Sequence, residues 1–352
     1  MIPSGTRFIV FHEADYMILG DLDKKVKEKN IPVEAAFELT WRCNLKCILC
    51  YQFPPDNNEL STNEVLDILD QLHDAGCLYL SLTGGEPLLR KDFWEIAGHA
   101  RKRTFAVTLQ SNGTLITPDV AQRIHEHAFM AVHISLLGAS EATHDSITGI
   151  QGSFRKAMDA ASMLATAGTH VVMKATLMKQ NFDEFHDMEA FAKNLGAELA
   201  LSPVVFPKST GEKTPALFRL DDDQMREFYA YRFRENQTEI APERDISTLP
   251  LCQFGRTDCC INPHGKVYPC VAVPLEVGDL KKQKFSAIWE HSDILKKIRC
   301  ATMGDLVECS KCSLLPSCVR CSGMAFLEEG SVFSVPHECC RMARIMEEVT
   351  RK

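Results

Sequence analysis

Six short apolar runs alternate with helical patterns along residues 33–201, and this alternation constrains the fold more than any other feature. Helical spacing fills the intervals, and the first helix opens on a capping box, Ser61 to Glu64. Strands that alternate with helices in this way form parallel sheets with right-handed crossovers. The sequence therefore predicts an α/β protein with six β–α units, fewer than the eight of a closed barrel. The strands are predicted at residues 33–39, 78–82, 105–109, 131–136, 171–177 and 197–201.

Three cysteines follow the first predicted strand directly. Cys43, Cys47 and Cys50 are spaced C-x3-C-x2-C, so one loop can wrap them around a single metal cluster. Thiolates are soft ligands that favour zinc, copper(I) or iron–sulfur clusters. Since an ordinary cubane takes four of them, three cysteines leave one metal ion free to bind a substrate or cofactor. A zinc loop and a purely structural thiol cluster are the alternatives.

Composition and charge exclude several classes of protein. With 352 residues, 45% apolar and 24% charged, the chain has room for one large domain and a smaller one. A net charge of −8 gives no electrostatic footprint for nucleic acid or an anionic membrane. Residues 1–20 lack the pattern of a signal peptide, and no run of about 18 apolar residues suggests a membrane span. Fifteen cysteines therefore indicate metal-bound thiols in a reducing compartment, and we predict a cytoplasmic protein.

The loop CNLKCILC, residues 43–50, resembles that of the radical S-adenosylmethionine (SAM) enzymes. Leu49 replaces the aromatic residue that the family usually places before the third cysteine. The resemblance implies a partial (β/α)6 TIM-type barrel and a [4Fe–4S] cluster on Cys43, Cys47 and Cys50, whose open iron chelates SAM. It also implies catalysis by a 5′-deoxyadenosyl radical, with an electron donor such as flavodoxin or ferredoxin. The protein is thus predicted to be a radical SAM oxidoreductase.

Polar residues at three strand ends are candidates for SAM contacts. The stretch TGGEP, residues 83–87, resembles the family segment that contacts the SAM amino group, although a tight turn after a strand could also use its glycines. The segment HISLLG resembles the stretch whose serine contacts the SAM ribose, with Leu137 in place of the usual aspartate. The predicted cofactor-binding residues are Gly84, Gly85, Glu86, Ser111, Asn112 and Ser135.

Eleven of the cysteines lie beyond residue 250, in a region with weak periodicity and little apolar content. Such a segment needs metal to fold, and its two CxxC pairs could form a zinc site. The layout also resembles the SPASM extension of radical SAM enzymes, which implies two auxiliary iron–sulfur clusters. The resemblance assigns the first cluster to Cys252, Cys259 or Cys260, Cys270 and Cys321, and the second to Cys309, Cys312, Cys318 and Cys339 or Cys340.

Motif positions and composition together predict four segments. These are an N-terminal extension at residues 1–32, the radical SAM barrel at 33–205, a proline-rich bridge at 206–250 and the SPASM auxiliary-cluster domain at 251–345.

SPASM relatives mostly modify peptides or proteins, and AAFELTWRCNLKC is similar to the maturases of pyrroloquinoline quinone and mycofactocin. In sulfatase maturases the residue at the position of Val271 is an aspartate that serves as a base. Valine cannot take a proton, which disfavours that activity here. The resemblance implies a maturase that abstracts hydrogen from a ribosomally made peptide and leaves a cross-link or an oxidised residue. A separate peptide-recognition protein could assist it. Side-chain chemistry on a haem-type tetrapyrrole is one alternative, and a non-catalytic iron–sulfur electron carrier is another.

Overall fold

A single nine-stranded sheet runs through the computed structural model, which describes residues 20–56, 58–235 and 246–350. The strands are β1 Glu34–Thr40, β2 Tyr79–Gly84, β3 Ala106–Ser111, β4 Ala131–Ser135, β5 Val171–Thr176, β6 Glu198–Ser202, β7 Asp258–Ile261, β8 Lys266–Tyr268 and β9 Gly278–Asp279. They lie in the order β6-β5-β4-β3-β2-β1-β7-β8-β9. Strands β1 to β6 pair in parallel with their neighbours, which confirms the six predicted β–α units.

Twelve α-helices lie within the described ranges. They are α1 Gly20–Lys29, α2 Thr62–Asp74, α3 Phe93–Lys102, α4 Pro118–Glu126, α5 Glu141–Thr148, α6 Ser153–Thr166, α7 Phe185–Asn194, α8 Asp222–Glu235, α9 Phe285–His291, α10 Asp293–Cys300, α11 Ser322–Glu329 and α12 His337–Thr350. Helix α2 begins with the predicted capping box, in which Ser61 and Glu64 exchange hydrogen bonds. Helix α5, which the sequence did not indicate, follows β4 and ends at Gly149 in the left-handed conformation.

The two faces of the parallel strands differ in chemistry. Ala35, Phe37 and Leu39 alternate along β1 and belong to one large core beneath the helices. The alternate positions on the neighbouring strands are polar and only partly buried, as at Ser81, Gln110 and Lys174. Since side chains on a strand alternate between faces, one face closes the core and the other lines an accessible interior.

The C-terminal region continues the barrel sheet. Strand β7 pairs in parallel with β1, and β8 and β9 follow in antiparallel pairing. Phe285, Ile288 and Trp289 enter the same core as the barrel, and a smaller cluster forms around Phe254. The region has little apolar content, as predicted, but helices α9 to α12 and the β7–β8 hairpin bury it, largely against the core of the barrel.

Parts of three predictions lie outside the described residues. These are residues 1–19 of the N-terminal extension, residues 236–245 of the bridge, and Asn236 at the end of a helix predicted for residues 221–236. Across the described ranges, every helix is too short or too polar to reach from one side of a bilayer to the other.

Candidate active site

The three-cysteine loop follows β1 at the carboxyl edge of the parallel strands, where α/β folds place their chemistry. Cys43 and Cys50 are exposed, and Cys47 is half-buried. The pKa of Cys47 is raised to about 12, mainly by burial and to a lesser extent by the nearby Cys50 and Cys43 thiols. The three thiols therefore influence one another at an accessible edge of the barrel, although no group of three or more His, Cys, Asp or Glu side chains in the described ranges is already arranged to hold a metal ion.

Backbone hydrogen bonds from the barrel hold this loop in place. The Lys46 amide donates to the Thr148 carbonyl at 2.8 Å, and the Ile48 amide donates to the Ile147 carbonyl at 3.0 Å. Both acceptors lie at the end of α5, the helix that the sequence did not reveal. The geometry of the loop is thus set by protein contacts before any metal binds.

Gly84 and Gly85 bring their segment against the chain just before the cysteine loop. The Gly85 amide donates to the Thr40 carbonyl at 2.7 Å, and the Glu86 amide donates to the Arg42 carbonyl at 2.9 Å. A Cβ on Gly84 would overlap the Thr40 carbonyl, and one on Gly85 would overlap the Arg42 carbonyl. The glycines are needed for this close approach, which places the GGEP segment beside the cluster loop.

Glu86 lies inside the protein instead of facing the loop surface. It is 0% exposed, and its carboxylate accepts hydrogen bonds from the Ser111 hydroxyl at 3.0 Å and the Asn112 amide at 2.8 Å. Burial raises its pKa to about 7, against the lowering effect of these hydrogen bonds. The structure therefore gives Glu86 and Ser111 positioning contacts with each other, and leaves the predicted direct contact of Glu86 with SAM without support from the geometry.

Asn112 joins the end of β3 to the cluster loop. Its amide nitrogen donates to Asn44 Oδ1 at 2.9 Å and lies 3.8 Å from Cys43 Sγ. Its Oδ1 accepts from the amide of Thr114 at 2.9 Å, and the Thr114 hydroxyl accepts in turn from Asn44 at 2.7 Å. The predicted residue thus lies at the site and holds the first cysteine in position.

Ser135 ends β4 on the polar inner face of the barrel, where it is half-buried beside Lys174 on β5. One strand away, Gln110 contacts His133 Nδ1 at 2.9 Å. Burial lowers the pKa of His133 to about 4, with a further contribution from the charge of Lys174. The inner face therefore offers hydrogen-bonding groups and one cation at the same edge as the cysteine loop.

Two charged residues of this interior, one buried and one partly buried, were missed by sequence analysis. Glu38 accepts hydrogen bonds from Trp41 Nε1 and Gln52 Nε2, both at 2.9 Å, and burial raises its pKa. Burial lowers the pKa of Lys174 to about 8, and its ammonium has no hydrogen-bond or ion-pair partner in the described ranges. The sequence did contain a signal for both residues, since each is a charged residue within a largely apolar strand. Burial of a charge costs free energy unless the charge is paired or used.

The cysteines of the second predicted auxiliary cluster line one pocket. Cys309, Cys312, Cys318 and Cys340 surround it, whereas Cys339 is only 6% exposed. Burial raises the pKa of Cys318 to about 11, followed by the effects of the Cys340, Cys309 and Cys312 thiols. The structure therefore favours Cys340 over Cys339 as the fourth member of this group.

The cysteines of the first predicted auxiliary cluster are only partly brought together. Cys252, Cys270 and Cys321 all retain accessible surface, and the pKa of Cys270 is raised by burial and then by the other two thiols. Cys259 and Cys260 are buried, at 3% and 0% exposure. Cys300, which no motif assigned, is exposed at the end of α10.

Comparison with known proteins agrees with this architecture. Residues 37–192 match the radical SAM superfamily, and residues 252–322 match the iron–sulfur cluster-binding SPASM domain. Mycofactocin maturase MftC of Mycolicibacterium smegmatis is 30% identical over 79% of this chain and 77% of its own length. AdoMet-dependent heme synthase of Methanosarcina barkeri is 27% identical over 88% of this chain and 97% of its own length. Streptococcus suis SuiB, solved with its precursor peptide SuiA, has the same fold, with a TM-score of 0.70 at 18% identity over 92% of this chain and 81% of its own.

An open parallel α/β barrel with a three-cysteine loop at its carboxyl edge, followed by a second cysteine-rich region, defines an iron–sulfur enzyme. The chain belongs to the radical SAM superfamily and carries a C-terminal SPASM domain. Its cofactors are a [4Fe–4S] cluster that binds SAM and additional iron–sulfur clusters in the SPASM domain. The zinc alternatives and the non-catalytic electron carrier do not hold.

Proposed function

We propose that this enzyme is a maturase that modifies a ribosomally made peptide or protein. The observation that carries the proposal is the similarity to mycofactocin maturase, at 30% identity over most of both chains. The fold shared with a protein solved with its precursor peptide bound agrees with it. A cross-link or an oxidised residue in the peptide is the proposed product.

Residues of the candidate site have two proposed roles, binding the cluster and positioning the groups around it. We propose Cys43, Cys47 and Cys50 as ligands of the SAM cluster, which supplies a 5′-deoxyadenosyl radical when SAM is bound. Gly84 and Gly85 allow the chain to pass close to that loop, and Ser135 presents a hydroxyl on the inner face. Glu86 acts indirectly, because its carboxylate fixes Ser111 and Asn112 beside Cys43.

The inner face of the barrel is the proposed substrate cavity. Its polar side chains are half-buried, so they can make hydrogen bonds with a guest while the opposite face of each strand remains in the core. Lys174 supplies a cation there without an internal partner among the described residues. A carboxylate of the substrate or of SAM fits this position, because an anion would restore the interaction that burial removes from the ammonium.

Tetrapyrrole chemistry is the second candidate. The heme synthase relative is matched over 97% of its own length, and tetrapyrroles with carboxylate side chains would also suit Lys174. The wider proposal includes the segment boundaries at residues 32, 205 and 250 and a cytoplasmic location. It also includes flavodoxin or ferredoxin as electron donor and a separate peptide-recognition protein as partner.

The test is to incubate the anaerobically reconstituted enzyme with SAM, a reductant and either of two substrates. One is a short precursor peptide encoded beside its gene, and the other is a tetrapyrrole with carboxylate side chains. We expect the peptide to lose hydrogen atoms by mass spectrometry, with 5′-deoxyadenosine formed in proportion. The variant with Cys43, Cys47 and Cys50 replaced by alanine is the control without product. Turnover of the tetrapyrrole with an unchanged peptide would overturn the proposal in favour of the second candidate.

A further inference from the structure

The first auxiliary cluster has three cysteines in place and lacks an obvious fourth. Cys252, Cys270 and Cys321 keep accessible surface and influence one another electrostatically. The two adjacent cysteines on β7 were the predicted candidates, but their sulfurs are almost fully enclosed by protein. A cluster needs open space at each ligand atom, so burial argues against both.

Strand alternation explains where the two β7 cysteines point. Cys259 and Ile261 face the large core, and Cys259 Sγ lies 3.8 Å from the Glu34 carbonyl oxygen. Cys260 faces the other way and is completely buried near Glu38. Burial raises the pKa of both thiols, and the nearby Cys270 thiol adds to that effect.

Asp258, the first residue of β7, lies where the missing ligand is needed. The β7–β8 hairpin pairs Cys260 with Tyr268, and Asp258 and Cys270 lie two residues beyond this pair on either side, where the chain turns away after β8. The Gly255 amide donates to the Asp258 carbonyl at 3.0 Å and to the Pro269 carbonyl at 2.9 Å. These bonds fold the chain after Cys252 onto the same end of the hairpin.

The pKa shifts of Cys252 and Cys270 also indicate that Asp258 is near both thiols. The negative charge of Asp258 raises the pKa of both Cys252 and Cys270, in addition to the larger effect of burial. The Thr257 hydroxyl donates to Asp258 Oδ1 at 2.8 Å. Within the described ranges Oδ2 has no hydrogen-bond partner, and the side chain keeps part of its surface accessible. Asp258 also lies beside Glu34, its pairing partner on β1, and burial raises the pKa of Asp258. The Thr257 hydroxyl therefore orients one carboxylate oxygen, and the other accepts no hydrogen bond within the described ranges.

We infer that Asp258, and neither Cys259 nor Cys260, is the fourth protein ligand of the first auxiliary cluster. The cluster then has three thiolates from Cys252, Cys270 and Cys321 and one carboxylate. A carboxylate is a harder and less strongly bound ligand for iron than a thiolate. One iron of this cluster is thereby distinguished from the other three and can exchange its ligand more readily. The inference does not depend on which substrate the enzyme modifies.

The experiment compares full-length variants reconstituted with iron and sulfide. Iron content, the electron paramagnetic resonance (EPR) spectrum of the reduced protein and the reduction potentials are the readouts. Addition of SAM identifies the SAM cluster, so the signals that SAM leaves unchanged belong to the auxiliary clusters. Asp258→Asn keeps the side-chain shape and removes the anionic ligand, and circular dichroism verifies that each variant is folded.

We expect Asp258→Asn to lose iron from one auxiliary cluster or to change its EPR signal, with the SAM-responsive signal unaltered. Asp258→Cys should retain all iron, change the same auxiliary signal and shift its potential to more negative values, because a thiolate donates more electron density than a carboxylate. Cys259→Ala and Cys260→Ala are the matched controls and should leave iron content and spectra as in the wild type. A wild-type auxiliary signal in Asp258→Cys, or loss of auxiliary iron in Cys260→Ala with Asp258→Asn unaffected, would overturn the inference.

Discussion

The two cysteine loops that most resemble each other in sequence are built in different ways. The SAM-cluster loop, residues 43–50, follows a strand of the main sheet and is held by backbone hydrogen bonds to α5. The second auxiliary segment, residues 309–318, consists of two isolated 3₁₀ turns, Cys309–Lys311 and Leu315–Ser317. The first loop is thus positioned by the barrel, whereas the second has little regular structure of its own.

This contrast shows how each site depends on its metal. Metal-binding energy becomes folding energy where the apoprotein does not preform the site. In the SAM-cluster loop the protein contacts already fix the backbone. In the auxiliary segment only a small core around Leu306 and Leu315 supports the ligands, so the cluster contributes more to the stability of that region.

The largest expected effect comes from replacing Cys43, Cys47 and Cys50 together with alanine. SAM cleavage should fall to background, because no open iron remains to bind and reduce SAM. Iron should fall by one cluster, and the thermal unfolding midpoint should change little, because the large core contains none of these side chains and only Cys47 packs against a smaller buried cluster. Formation of 5′-deoxyadenosine measures SAM cleavage, iron analysis measures the loss of the cluster, and calorimetry measures the unfolding midpoint. A large loss of stability would contradict the view that the barrel positions this loop.

Replacing Cys309, Cys312 and Cys318 with alanine should affect stability more strongly. The segment would lose the metal that holds its short turns together, so we expect lower solubility and a lower unfolding midpoint than in the N-terminal triple variant. Some SAM cleavage uncoupled from product should remain in the soluble fraction. Calorimetry measures the unfolding midpoints of the two triple variants side by side. Equal midpoints would show that the two sites do not differ in how much their metal contributes to stability.

Lys174→Gln should weaken the binding of an anionic group in the barrel. A hydrogen bond to a charged partner contributes about 1.5–3 kcal/mol, which corresponds to roughly 10- to 100-fold in affinity. Because the pKa of Lys174 is lowered to about 8, its ammonium is present below that pH. Wild-type affinity for the anion should therefore fall as the pH rises through about 8, and the variant should lack this dependence. Calorimetric titration with SAM and with substrate identifies which ligand is affected, and Lys156→Gln on the exposed face of α6 is the control.

Glu86→Gln tests the positioning role. The amide retains one acceptor but turns an NH2 group toward donors that now bond the carboxylate, so we expect unfolding to become easier by about 1–2 kcal/mol. SAM affinity should fall with it, through displacement of Asn112 and Cys43. Ser111→Ala removes one of the same hydrogen bonds and should show a smaller loss of both quantities. Weaker SAM binding with unchanged stability in Glu86→Gln would instead favour direct contact with SAM.

The smallest effect is expected for Cys77→Ala. Its side chain is 2% exposed and belongs to the large core. Loss of the sulfur should cost about 1 kcal/mol of unfolding free energy, as for one deleted buried group. Iron content and SAM cleavage should match the wild type. Any loss of iron would show that a fourth N-terminal cysteine contributes to a cluster.

The sequence by itself determined the alternating β–α architecture, the three-cysteine loop after β1 and the existence of two cysteine groups in the C-terminal region. The architecture and the loop depend on local periodicity and on ligand spacing within one loop, which a sequence displays directly, whereas the two C-terminal groups follow from the resemblance to the SPASM extension. Gly84 and Gly85 belong with them, because a close approach of two backbones after a strand requires residues without a side chain.

Only the tertiary structure decided between neighbours in sequence. Cys259 and Cys260 are equivalent by spacing, but adjacent residues on a strand face opposite sides, and packing buries both. Cys339 and Cys340 differ only by their rotation about α12, which turns Cys340 toward the pocket. Glu86 became a buried acceptor because the loop after β3 folds over it, and the Gly255 amide joins the carbonyls of Asp258 and Pro269 across the hairpin. Each of these positions is fixed by pairing between distant segments and by burial in the folded protein. Local sequence patterns contain no information on either of these two effects.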